Sequence, residues 1–162
     1  MRARPIGVLF VCTGNICRSP TAEGVFRRLV ADAGMSEAVV ADSAGTHDYH
    51  VGEPPDPRAQ VAASERGYDL SGLRARRLER ADLERFDLII AMDRGHLRAL
   101  SRLAQPGAAG KLRLMMSYAK SLAQDDVPDP YYGGSEDFER VLDMLEDAAS
   151  GLLDSLSRPS RE

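Results

Sequence analysis

The stretch VCTGNICRSP, residues 11–20, puts two thiols, Cys12 and Cys17, and the guanidinium of Arg18 into one short turn. Gly14 and Asn15 both tolerate a positive φ, so the turn can curl round a tetrahedral anion with backbone N–H groups facing inward. Thr13, Gly14, Asn15, Ile16 and Cys17 form that cradle, and Arg18 can add a two-pronged fork to two of the anion's oxygens. A helix starting just after the turn adds partial positive charge. Cys12 then lies beneath the anion's central atom, where the same amides stabilise a thiolate. A thiolate under a bound phosphate is a nucleophile for phosphoryl transfer. Other readings compete with this one. Strand–helix turns also hold nucleotide phosphates, but neither the Gly-Lys-Ser/Thr pattern nor GxGxxG is present. Cysteine also serves as an inert buried residue. A metal would need more ligands than two thiols, and His47 and His50 lie in a separate loop, so neither metal nor cofactor is expected.

Attack by a thiolate expels an oxygen that needs a proton, and the donor should be a carboxyl on a loop at the same end of the fold. Asp129 in VPDPYY fits, with Pro128 and Pro130 fixing its backbone and Tyr131 and Tyr132 lowering local solvation. A phosphate dianion and a thiolate beside it favour its protonated form. The ionised carboxylate could then activate water against a cysteinyl-phosphate. Asp125 and Asp126 are rivals on sequence alone, and all three also read as a solvated acidic loop. Ser19 has two compatible roles: capping a helix that begins at Pro20, and donating a hydrogen bond to Cys12.

The surrounding pattern supplies elements to position these groups. Residues 6–11 (IGVLFV) form a continuous apolar run, as in a strand buried on both faces. Ala22, Val25, Phe26, Leu29, Val30 and Ala33 then make one helical stripe, closed by Gly34. Residues 37–45 read as a second strand, residues 46–56 as a Gly-, Pro- and His-containing loop, and Ala59, Ala62 and Ala63 as the inner face of a short helix. A helical turn or two over 78–86 leads into a strand at 87–92, a helix at 94–104 and a fourth strand near 112–116. Residues 125–134 are a loop, and a long helix begins near Ser135 and carries Phe138, Val141, Leu142, Leu145, Ala149, Leu152, Leu153 and Leu156. The tail 157–162 reads as frayed. Strand and helix alternate about four times, which predicts an α/β fold with a parallel sheet covered on both faces. Ligands bind at the carboxyl ends of such strands. The turn, Ser43 and the 125–134 loop all fall there.

With 162 residues the chain suits a single domain, 1–162, large enough for a sizeable core. Its 21 basic and 25 acidic residues give a net charge of −4, which argues against nonspecific nucleic-acid binding. Two cysteines in one turn make no disulfide framework and fit a reducing compartment. No signal peptide or membrane span is legible, so a cytoplasmic location is expected.

Taken together, VCTGNICRSP, VPDPYY and the intervening DSAGTHDYHVGEPPDPRA resemble the low-molecular-weight protein tyrosine phosphatase family, in order, spacing and total length. The resemblance implies a three-layer fold with a four-stranded parallel sheet in flavodoxin-like order. It implies Cys12 as nucleophile, Arg18 as phosphate clamp and Asp129 as general acid and base. Asn15 resembles the asparagine that holds the loop's strained shape and Ser43 its supporting serine. Cys17 resembles a neighbour able to form a reversible disulfide with Cys12, protecting it from over-oxidation. Tyr49, Tyr131 and Tyr132 are placed round the pocket mouth, where aromatic walls suit a flat phenyl ring. The implied partners are tyrosine-phosphorylated proteins and a tyrosine kinase acting on Tyr131 or Tyr132. Leu73 departs from the pattern, standing where many relatives carry a histidine. Arg74, Arg76, Arg77 and Arg80 read as a solvated, salt-bridging face. Protein-arginine phosphatases resemble this chain too, but tend to carry threonine where Ile16 stands. Thiol-dependent arsenate reductases share the fold but need further cysteines, and a non-catalytic phosphate-binding module is the alternative outside enzymes.

Overall fold

A computed structural model describes residues 4–157. Its centre is β1 (Ile6–Cys12), whose residues Val8 to Val11 are completely buried. Alternation along the strand sends Val8 and Phe10 to one face of the sheet, and Leu9 and Val11 to the other. A strand with apolar residues on both sides needs a covering layer on each, and the chain supplies both. α1 (Arg18–Asp32) packs Ala22, Val25 and Phe26 against the first face, with the Phe26 ring edge-on to Phe10 at 5.6 Å between centroids. Gly34, at φ 70°, lets the chain turn away after that helix.

β2 (Val39–Gly45) pairs with one side of β1, β3 (Leu88–Ala91) with the other, and β4 (Leu112–Leu114) adds to β3, all parallel. The spatial order is therefore β2-β1-β3-β4. The α-helices α2 (Pro57–Glu65), α3 (Asp82–Arg85), α4 (Arg94–Leu103) and α5 (Ser135–Ser157) complete the layers. α5 lies beside α1 and buries Phe138, Val141, Leu142 and Leu145 in the larger core. Leu83 of α3 and Leu100 of α4 join Leu9, Val11, Ile89 and Ala91 in the smaller core on the opposite face. Each large side chain buried here contributes about 1.5–3 kcal/mol from its removal from water. Because β1 has β2 on one side and β3 on the other, the connections on leaving β1 diverge, and a crevice opens at its carboxyl end. Cys12 is the last residue of that strand.

Several boundaries differ from the sequence reading. The first helix starts at Arg18 rather than Pro20, with Cys17 at the cap position and no side-chain cap. Ser19 therefore lies inside the first turn and is not the helix cap. The second strand begins at Val39, since residues 36–38 are held in a turn closed by Ala38 N–H to Met35 C=O. Within residues 78–86 the helix is the single turn of α3, led in by a turn at residues 80–81, and Arg77 just before this stretch bridges to Gly45. The fourth strand is three residues long, flanked by 3-10 turns at Pro106–Lys111 and Met115–Tyr118. Of the tail expected to fray, residues 158–162 lie outside the described residues.

Candidate active site

The turn after β1 is shaped by its own carbonyls being claimed from outside. Thr46 and His47 donate N–H to the Cys12 and Thr13 carbonyls at 2.9 and 3.0 Å, and Asp56 N–H reaches the Ile16 carbonyl at 2.8 Å. The N–H groups of Gly14 to Arg18 donate to no backbone carbonyl among the described residues. Unpartnered amides at the start of a helix form an anion-binding concavity. Asn15 makes the bend possible: it sits at φ 58°, a left-handed conformation that Asn tolerates better than most residues. Its buried side chain locks the bend in place. Nδ2 donates to Ser19 Oγ at 2.8 Å and Ser43 Oγ at 2.9 Å, and Oδ1 accepts the Arg76 N–H at 3.0 Å. Ser43 passes the chain on, donating from Oγ to Glu23 Oε1 at 2.7 Å.

Cys12 lies at the floor, only 3% exposed. The Ser19 N–H donates to Sγ at 3.4 Å and the Ser19 hydroxyl lies 3.0 Å from it, so two polar hydrogens are available to a thiolate. Of the two roles expected for Ser19, the contact with Cys12 is the one its position permits. The guanidinium of Arg18 is almost fully buried. Nη1 donates to Asp93 Oδ2 at 2.9 Å and to the Val127 carbonyl at 3.1 Å, while Nη2 lies 3.7 Å from Asp129 Oδ2. Arg18 thus joins the first turn to the 125–130 loop, whose Val127 N–H also pairs with the Met92 carbonyl at 2.9 Å.

The three rival carboxylates separate cleanly. Asp129 lines the cleft, its Oδ1 accepting the Tyr131 N–H at 3.1 Å. Asp126 turns the other way and holds Arg94, accepting its backbone N–H at 2.9 Å and its guanidinium at 3.2 Å. Asp125 is exposed and lines no part of the cleft. The cleft, about 220 Å³, has Cys12, Thr13, Gly14, Ile16, Cys17 and Arg18 below and Tyr49, His50, Tyr131 and Tyr132 round its mouth. Tyr131 and Tyr132 meet edge to face at 4.9 Å, and Tyr49 stacks on His47 at 5.0 Å. Arg58 secures this wall, donating to the Tyr131 carbonyl at 2.8 Å. The histidine loop, remote in sequence, therefore closes over the turn, with His50 packed above Gly14 and paired with Glu53. Among the described residues no group of three or more His, Cys, Asp or Glu could hold a metal ion. No described helix is long and apolar enough to cross a membrane.

Both thiols are free and buried. Burial, with the Asp56 and Asp129 carboxylates and Cys12 nearby, pushes the Cys17 thiol well above the ordinary range and leaves it protonated. Leu73 packs against the larger core, and the turn is braced without a histidine there, through Asn15, Ser43 and Glu23. Burial holds the Glu23 carboxyl above the usual carboxylate range, against the hydrogen bond from Ser43 and the charge of Arg27.

Some contributors escaped the sequence reading. Arg76 is salt-bridging, pairing with Asp82 at 3.0 Å and Asp42 at 3.1 Å, but it is half-buried rather than solvated and its N–H also braces Asn15. Asp93 both caps α4 through the His96 N–H at 2.8 Å and holds Arg18. Its place directly after an apolar strand and before a helix, in AMDRGH, was the available signal. Glu23 and His96 gave none, because a charged residue on a helix reads as solvated until packing shows it buried.

A buried thiol, a run of free amides and an arginine that faces a carboxylate meet at the carboxyl end of a parallel α/β sheet, an arrangement with the means to hold a tetrahedral anion. The model of the low molecular weight phosphotyrosine protein phosphatase family matches residues 7–162. A low molecular weight protein-tyrosine-phosphatase of Streptomyces coelicolor is 52% identical over 149 residues, covering 90% of each chain. Among solved structures, a protein tyrosine phosphatase of Entamoeba histolytica superposes with a TM-score of 0.91 at 38% identity, covering 93% of this chain and 96% of that one. Vibrio vulnificus Wzb, solved with benzylphosphonate, superposes with a TM-score of 0.80 at 33% identity, covering 93% and 98%. The chain belongs to the low molecular weight phosphotyrosine protein phosphatase family.

Proposed function

We propose that this chain, acting as a single domain over residues 1–162, hydrolyses phosphotyrosine in proteins through a cysteinyl-phosphate intermediate. The observation that carries the reading is the convergence on one cleft of Cys12 Sγ, the free amides of the turn, Arg18 and Asp129. The amides and the Arg18 fork hold the three non-bridging oxygens and take up the charge that spreads over them in the transition state. The Cys12 thiolate attacks phosphorus opposite the phenolic oxygen, and the Asp129 carboxyl delivers its proton to that oxygen, so tyrosine leaves neutral. The resulting Asp129 carboxylate then takes a proton from water, which attacks phosphorus and releases inorganic phosphate. The Ser19 hydroxyl, 3.0 Å from Sγ, stabilises the departing thiolate.

Tyrosine is favoured over serine because Tyr49, His50, Tyr131 and Tyr132 line the mouth of the cleft with aromatic rings, against which a phenyl ring can pack. The benzylphosphonate bound by Wzb, an aromatic ring joined to a phosphonate, is of the shape this cleft suits. Tyrosine-phosphorylated proteins are the substrates, met in the cytoplasm, where both thiols stay reduced. Cys17 can form a protective disulfide with an oxidised Cys12. Tyr132 is 92% exposed and Tyr131 37%, which leaves both open to a tyrosine kinase.

Hydrolysis of an aryl phosphate, phosphotyrosine, phosphoserine and phosphoarginine by the wild type, Cys12→Ser and Asp129→Ala tests this. Phosphotyrosine should be turned over well ahead of the other two amino acids, Cys12→Ser should be inactive, and Asp129→Ala should lose about 10²–10⁴-fold in kcat. Tight phosphate binding by a wild type that turns nothing over would make the chain a binding module instead.

A further inference from the structure

Nδ1 of His96 is the one buried side-chain nitrogen or oxygen without a hydrogen-bond partner among the described residues. The ring, on the first turn of α4, is 6% exposed, and buried polar atoms left in this way ask for a reason. The nitrogen lies 3.1 Å from Asp93 Oδ1, an oxygen that already accepts the His96 backbone N–H at 2.8 Å and sits out of line for a ring N–H. The other ring nitrogen, Nε2, lies 2.8 Å from the Thr13 hydroxyl. Both neighbours of the ring also touch the phosphate clamp. Asp93 Oδ2 accepts from Arg18 Nη1 at 2.9 Å, and Thr13 Oγ1 accepts from Arg18 Nη2 at 3.5 Å.

We propose that His96 is a positioning residue for Arg18, with its proton on Nδ1 facing Asp93 and Nε2 accepting the hydrogen of the Thr13 hydroxyl. A neutral imidazole has one donor and one acceptor nitrogen, so the assignment is a choice between two tautomers. The reverse tautomer would aim the Nδ1 lone pair at a carboxylate oxygen 3.1 Å away. It would also spend one of the two Thr13 Oγ1 lone pairs on a ring N–H, leaving a single lone pair for Arg18 and the hydroxyl hydrogen without the ring as its acceptor. In the assigned tautomer the Thr13 oxygen keeps its lone pairs for Arg18, and the Asp93 carboxylate is opposed by the ring N–H on one oxygen and by Arg18 on the other. The two side chains that fix the fork are thereby fixed themselves. The charged and titratable groups facing the ring are Arg18 from α1, Asp93 at the start of α4, Asp129 from the acid loop and His47 from the loop after β2. Burial, and then the charge of Arg18, keep the ring neutral against the pull of Asp93 and Asp129. The ring touches no substrate atom and acts only through Thr13 and Asp93.

The inference rests on the phosphatase reading of the same site, so its test avoids turnover. Nitrogen-15 NMR of the wild type near pH 7, with and without inorganic phosphate, should show His96 protonated on Nδ1 and bare on Nε2. The reverse tautomer would overturn the proposal. Calorimetric titration with inorganic phosphate then compares the wild type with His96→Phe, His96→Gln, Thr13→Val and the double variant His96→Phe/Thr13→Val. Each of His96→Phe and Thr13→Val should weaken phosphate about tenfold, the double variant no further, and His96→Gln, which keeps an acceptor, should recover part of the loss. A purely structural ring would lower the melting temperature of His96→Phe while its phosphate affinity stayed at the wild-type value, and that result, or additive losses in the double variant, would refute it. Should His96→Phe fail to fold, the tautomer and the Thr13→Val affinity still decide.

Discussion

Gly45 closes β2 directly against the phosphate-binding turn, and a methyl group there has no space. A Cβ built on it would sit 2.6 Å from the Thr13 carbonyl oxygen and 3.1 Å from both the Gly14 carbonyl carbon and the His47 carbonyl oxygen. Non-bonded atoms settle at about 3.5 Å, so strand and turn would have to part by roughly 0.5–1 Å. Every atom in the way belongs to backbone, held by the hydrogen bonds from Thr46 and His47 to the Cys12 and Thr13 carbonyls. No rotamer change relieves the clash, and overpacking of this kind costs about 1–3 kcal/mol. The shift falls on the amides and the thiol that would grip the anion, where a displacement near 1 Å costs on the order of 10²-fold. Gly45→Ala should therefore lose about 1–3 kcal/mol in urea unfolding and about 10–100-fold in kcat/KM for an aryl phosphate, with inhibition by phosphate weakened in parallel. Gly72→Ala is the control: it is exposed, with nothing within 4 Å of the added carbon, and should stay within about 0.5 kcal/mol of the wild type. A Gly45→Ala enzyme with wild-type kcat/KM and phosphate affinity would refute the idea that contact with β2 sets the cradle.

Asp126→Asn frees the 125–130 loop from Arg94 and should lower kcat about threefold to tenfold, whereas Asp125→Asn should change nothing; equal effects in an aryl phosphate assay would sink the assignment. Gly151→Ala adds a carbon that collides with the Tyr118 carbonyl. It should destabilise by about 1–3 kcal/mol in urea, although Ala is the better helix former by about 1 kcal/mol, and a stabilised variant would show the close approach of α5 to the 115–118 turn to be wrong. Burial and Arg18 lower the His96 pKa from its ordinary 6.5 to about 4. Between those values the unfolded chain takes up a proton that the native one refuses, so stability falls as pH drops through that window, by about 2 kcal/mol at pH 5. Glu23, raised by burial, works in the opposite direction, its contribution growing as pH falls. His96→Phe should flatten the acid limb by about that 2 kcal/mol in urea titrations at pH 8 and pH 5, and a limb as steep as the wild type's would count against the buried neutral ring.

What the amino-acid sequence determined by itself is whatever depends on neighbours in the chain. β1 is legible because six consecutive apolar residues can be satisfied only between two covering layers, and α1 because its stripe repeats at helical spacing. The turn from Cys12 to Arg18 is legible for the same reason, since the cradle, the thiol and the fork lie within seven residues. The start of α1 is less legible, falling two residues before Pro20, because no side-chain cap marks it and Cys17 occupies the cap position. Only the tertiary structure could decide what depends on residues brought together from far apart. Asp129 is separated from its rivals by the direction each side chain takes, which Arg94 settles for Asp126 at 32 residues' distance. Arg76 braces Asn15 across 61 residues, and His96 meets Thr13 across 83. In each case the direction of a polar side chain is set by a distant partner, which for the buried Asn15 and His96 also satisfies it, and a chain read one residue after another contains no record of that partner.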